Sequence, residues 1–122
     1  MPITQADAQR FAAAWLTAWN AYDLEQIFEH YADDFCFSSP VICARGFSGS
    51  GVLQGKTALR AYWERGLSSI PPLQFELLEL FVGSDCVTIR YRSVGRALVA
   101  ETFFFGPDGK VVRAAAAYAP LE

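Results

Sequence analysis

The stretch Leu98-Val99-Ala100-Glu101-Thr102-Phe103-Phe104-Phe105, then Pro107-Asp108-Gly109, then Lys110 to Tyr118, decides the fold. It reads as two strands and a tight turn, because β-branched and aromatic residues run up to a Pro-Asp-Gly signal and resume after it. Two further strands fit upstream near 73–82 and 86–94, with Gly83-Ser84-Asp85 as the turn between them. With the last two near 97–105 and 110–118, the C-terminal half becomes an antiparallel meander.

The N-terminal half has a different period. Over 4–21, Phe11, Trp15, Ala18, Trp19 and Tyr22 recur at helical spacing, and Thr4 with Asp7 resembles a capping box. A second helix begins at Asp23, its cap, with Gln26 at the position that bonds back and Leu24, Ile27, Phe28 and Tyr31 as its buried stripe. Ala32-Asp33-Asp34 is read as the end of that helical region. A short strand follows over 35–39, with Phe35, Phe37 and Ser39 on one face and Pro40 as its stop. After a glycine-punctuated loop, a third helix spans 56–69. It turns Leu59, Tyr62, Trp63, Leu67 and Ile70 inward and closes at Pro71-Pro72. Three helices followed by a meander predict a single α+β domain over 1–122, with helices packed on one sheet face.

Composition narrows the function. Of the 122 residues, 52% are hydrophobic and 15% aromatic, enough for a large interior, a pocket, or both. Charged residues are 19%, below the usual quarter, so part of the surface is expected to be covered by a second subunit. The net charge of −3 and scattered basic residues argue against nucleic acid. No apolar run is long enough for a membrane span, and the N-terminus lacks a signal-peptide pattern, so the expectation is a cytoplasmic protein. Cys36, Cys43 and Cys86 read as reduced thiols, and a single histidine, His30, gives no basis for a metal site. No metal or cofactor is expected.

Two motifs carry little. Ser50-Gly51-Val52-Leu53-Gln54-Gly55-Lys56-Thr57 nearly matches a phosphate-binding loop, but Ser50 stands at the first glycine and no buried strand precedes it. Asp33 and Asp34 are adjacent, so their side chains diverge and fit turn hydrogen bonding better than paired chemistry. Glu101 is more informative. It shares a strand face with Phe103 and Phe105, and a charged carboxylate is costly there. Either it lies near the open mouth of the sheet or its pKa is raised; the alternative is an exposed or salt-bridged Glu, with an arginine such as Arg90 or Arg113 as its partner. In the last strand Ala114, Ala116 and Tyr118 share a face, and small residues there can leave a cavity.

Asn20-Ala21-Tyr22-Asp23-Leu24-Glu25, Tyr31-Ala32-Asp33-Asp34-Phe35, Gly55 to Trp63, and Asp108-Gly109-Lys110-Val111-Val112 together resemble the SnoaL-like branch of the nuclear transport factor 2 superfamily, across nearly the whole chain. The resemblance implies a cone-shaped, cystatin-like fold around an apolar pocket. Its relatives include ketosteroid isomerases, polyketide cyclases and epoxide hydrolases. In ketosteroid isomerase an aspartate base works with a tyrosine and a protonated aspartate. Those positions fall here on Ser39, Trp15 and Glu101, so only the last keeps its chemistry and steroid isomerisation by that route is not expected. The implied pocket is lined by Trp15, Trp19, Tyr31, Phe37, Tyr62, Trp63, Phe103, Ala114 and Ala116, with Glu101 as acid or base and Tyr118 and Ser39 orienting the substrate. Three functions compete: an isomerase, cyclase or hydrolase acting on an apolar carbonyl or epoxide compound, a carrier of an apolar ligand, or an interaction module. The resemblance also implies a homodimer through the outer sheet face, where Thr102 and Phe104 point.

Overall fold

The computed structural model describes residues 2–69, 74–93 and 96–120, without the side chains of 67–69. Its elements run α1 (Gln5–Asn20), α2 (Leu24–Phe28), β1 (Tyr31–Ser38), α3 (Pro40–Ala44), β2 (Val52–Gln54), α4 (Lys56–Ser69), β3 (Glu76–Val82), β4 (Cys86–Arg92), β5 (Leu98–Phe105) and β6 (Val111–Tyr118). The six strands form one curved sheet in the order β2-β1-β6-β5-β4-β3. Every pairing is antiparallel except β1 with β6, which is parallel.

The expected caps are present. The Thr4 hydroxyl accepts from the Asp7 amide while the Asp7 carboxylate accepts from the Thr4 amide, closing the capping box on α1. Asp23 caps α2 by accepting from the Gln26 amide. The turn from β5 to β6 closes on a Gly106 amide to Lys110 carbonyl bond of 2.8 Å. It contains Gly109 at a φ of 80°, a conformation glycine adopts without steric cost.

Four differences from the sequence reading matter. Among the described residues there are four helices, because Ser39-Pro40 starts a five-residue helix, α3, with Ser39 accepting from the Val41 amide. The presumed loop holds β2, which pairs with β1. Strand β1 begins at Tyr31, so Ala32-Asp33-Asp34 belongs to the sheet and does not end a helix. A register irregularity between Tyr31 and Cys36 leaves Asp33 and Asp34 exposed, and Lys56 pairs with Asp33 at 3.2 Å. That engagement, and the antiparallel β2 before it, remove the phosphate-loop reading. The positions expected for Leu67, Ile70 and Pro71-Pro72 lie outside the described side chains and residues.

The core lies between the concave sheet face and the helices. From α1 come Ala8, Ala12, Trp15, Ala18 and Trp19; the sheet supplies alternate residues such as Val87, Ile89, Val99 and Phe103. A twin hydrogen bond anchors the approach to β3. The Phe75 amide donates to Asn20 Oδ1 at 2.7 Å, and Asn20 Nδ2 donates to the Phe75 carbonyl at 3.2 Å. Among the described residues no helix is long and apolar enough to cross a membrane.

Candidate functional site

Alternation along β5 turns Val99, Glu101 and Phe103 onto the concave face. The neighbouring strands set what each meets. Phe103 lies opposite Ala114, Glu101 opposite Ala116, and Val99 opposite Tyr118. At the Phe103 level the space is filled: the ring packs edge-on against Phe11 at 4.9 Å and Trp15 at 5.4 Å. At the Glu101 level it is open. A cavity of about 320 Å³ starts there and runs out past Ser39, Tyr62, Arg45 and Tyr118.

Of the residues expected to line it, Trp15, Trp19, Phe37, Ser39, Tyr62, Trp63, Glu101, Ala116 and Tyr118 do so. Tyr31, Phe103 and Ala114 do not; they form the packed layer below, with exposures of 2%, 0% and 1%. Of the two alanines of the last strand expected there, Ala116 lines the cavity and Ala114 does not, because Phe37 and Phe103 both flank Ala114 across the sheet. Phe75, Tyr91, Arg45 and Gly66 also line the cavity and escaped the sequence reading.

Glu101 is 4% exposed. Tyr91 Oη donates to its Oε1 at 2.8 Å. Burial pushes the carboxyl up to about 7, and the Tyr91 hydrogen bond works the other way by favouring the carboxylate. Among the described residues no arginine forms an ion pair with it. Arg90 points to the other face and bonds Glu79 at 3.0 Å, while Arg113 lies 4.1 Å from the centre of the Phe104 ring. Glu101 is thus a buried carboxyl held by a tyrosine, with its pKa raised by burial.

Four tyrosines gather around this acid. Burial raises Tyr31, Tyr62, Tyr91 and Tyr118, and the Glu101 charge raises each of them further. Tyr118 reaches about 12. The nearby Ser39 hydroxyl favours the ionised form of Tyr62 and Tyr118 and offsets part of that rise. All four phenols thus stay protonated at neutral pH, and Tyr91 donates to Glu101.

The two pocket indoles differ. Trp15 Nε1 donates to Tyr31 Oη at 3.0 Å, so its N–H is used inside the core. Trp19 Nε1 is buried and is the one buried side-chain polar atom without a hydrogen-bond partner among the described residues. Trp19 is held by an edge-to-face contact with Trp63 at 5.2 Å. Among the described residues no cluster of three His, Cys, Asp or Glu side chains is placed to bind a metal.

Comparisons with known proteins agree with this architecture. Residues 12–119 match the SnoaL-like domain family. A SnoaL-like protein of unknown function from Burkholderia thailandensis is 48% identical, with a TM-score of 0.95 over 98% of this chain and 100% of that one. A protein of unknown function with a cystatin-like fold from Methylobium petroleophilum shares 14% identity and a TM-score of 0.78, over 100% of this chain and 82% of that one. The epoxide hydrolase/cyclase-like enzyme SalBIII, which acts in pyran ring formation in the polyether salinomycin, shares 18% identity and a TM-score of 0.73, over 94% and 92%. At those lower identities the likeness is one of fold. No curated protein sequence matches the chain significantly. Family match, high-identity relative and shared fold lead to one conclusion: this chain belongs to the SnoaL-like domain family.

Proposed function

We propose that the chain is a cofactor-independent enzyme of the isomerase, cyclase or hydrolase type, acting on an apolar carbonyl or epoxide compound with Glu101 as general acid or base. The observation that carries this reading is a lone carboxyl, 4% exposed, on the wall of an apolar cavity and titrating at about 7. A group poised there is available in both forms near neutral pH, which is where general acid–base catalysis is most effective. The carboxylate takes a proton from carbon next to a carbonyl; the carboxylic acid gives one to an epoxide or carbonyl oxygen. Tyr91 holds the reacting carboxyl in place at 2.8 Å. Tyr118 and Ser39 orient the substrate from the outer end. Trp19, whose N–H has no partner among the described residues, supplies a donor to the substrate oxygen.

Glu101→Gln is the test. It keeps shape and removes the titrating group, so turnover falls by about two orders of magnitude or more while ligand binding stays. Unchanged turnover refutes the reading.

A carrier role is the second reading, and one observation favours it. Two of the three positions that hold polar catalytic groups in ketosteroid isomerase are structural here: Ser39 caps α3, and Trp15 is tied to Tyr31. A copurified ligand released chemically unchanged supports the carrier role, and its conversion by the protein contradicts it. A cytoplasmic setting fits the three free cysteines.

A further inference from the structure

We propose that the ligand of this cavity is an apolar carboxylic acid bound as its anion, with Arg45 holding the carboxylate at the mouth. The proposal rests on the reading of the cavity as a small-molecule site and adds the class of compound.

Arg45 caps the C-terminal end of α3 and lines the cavity. Gly66, on the facing helix α4, also lines it. The atom nearest to where a Cβ on Gly66 would stand is Arg45 Nη1, at 3.4 Å. The guanidinium therefore lies against the α4 backbone at its one glycine. Glycine inside a helix costs about 1 kcal/mol relative to alanine, and here it leaves a flat bed for the cation.

The surroundings suit an anion. The Arg45 charge is close enough to Tyr62 and Tyr118 to lower both phenols against the effect of burial, so three donors converge on the same end of the cavity. Ser39 stands beside them. Among the described residues no carboxylate competes. Arg10, Lys56, Arg60, Arg90 and Arg92 each form an ion pair within 4.0 Å, whereas Arg45 forms none among the described residues. Glu101, the acid among the lining residues, lies at the buried end and is largely protonated below about pH 7. Arg45 is the sole cation among the lining residues, which matches a single negative charge better than a phosphate dianion.

The test is calorimetric titration of the whole chain with cinnamate, naphthylacetate and decanoate, each against its uncharged primary amide, at about pH 6 where these acids are ionised. For at least one pair the acid binds roughly tenfold or more tightly than the amide, the scale of one charge-assisted hydrogen bond. Arg45→Gln brings the acid down to the affinity of the amide and leaves the amide unchanged, which also reports that the variant is folded. Arg45→Lys keeps part of the preference. Equal binding of acid and amide by the wild type, or a preference that survives Arg45→Gln, overturns the proposal and leaves the apolar-pocket reading standing. Absence of binding by every pair overturns both.

Discussion

Burying Glu101 couples one proton to folding. Its carboxyl ionises at 4.5 when unperturbed and at about 7 in the fold, because burial disfavours the charge. Between those values the folded chain holds a proton that the unfolded chain has released, so stability falls as pH rises. The contribution is whole below the unfolded value and is lost by the time pH passes the folded one. Across that span the loss is about 3 kcal/mol. Thermal melts at about pH 5 and about pH 8 measure it, and Glu101→Gln is expected to flatten the difference. A second prediction concerns Tyr91. Tyr91→Phe removes the hydrogen bond that favours the carboxylate, so the Glu101 titration moves further above 7, read by carbon NMR of the carboxyl. A downward shift contradicts this account. Glu101 was legible as a misfit among aromatics. Its partner was not, because Arg90 and Tyr91 are adjacent and face opposite ways. Only the β4–β5 register, which sets Ile89 opposite Glu101, brings Tyr91 within reach.

Elements with a full period declared themselves, and those made by pairing did not. Helices α1 and α4 and strands β4 to β6 fall within a few residues of where the sequence puts them, since caps, turns and apolar spacing are local. Helix α3 has five residues and no period to detect, although a serine before a proline is an N-terminal signal. Strand β1 looked helical at Tyr31 to Asp34 because its strand character comes from β6, which meets Tyr31 at Val111. The junction of α1 with the approach to β3 offers a test at this scale. Asn20 satisfies both backbone groups of Phe75, and Phe75 lines the cavity. Asn20→Ala is expected to cost about 1–3 kcal/mol in denaturant unfolding, the penalty for partly buried groups left unpaired, and to weaken ligand binding. Unchanged stability would mean that water replaces both bonds.

At the scale of the whole molecule, the outer sheet face is the surface still to be accounted for. Thr88 and Thr102 hydroxyls share a hydrogen bond of 2.8 Å there, and Arg113 lies over Phe104. Ala100 on the same strand as Thr102, with Ala115 and Ala117 on β6, makes the middle of this face short in side chain, and the Arg90–Glu79 ion pair borders it. A homodimer through it is our proposal. Sedimentation at micromolar concentration is expected to give a dimer, and Thr102→Lys to give a monomer; a monomeric wild type refutes it. The parallel junction between β1 and β6 has a different consequence, in time. Strand β1 is made some eighty residues before its partner, which spans Val111–Tyr118. Until then β1 has only the three-residue β2 beside it, and β5 lacks the neighbour on its other side. Pairing of strands so far apart in sequence, and in parallel, is slow. Strand β6 must therefore be synthesised before the sheet can join its two halves, and a nascent chain stalled before β6 would expose Phe35, Phe37 and Phe103 to chaperones.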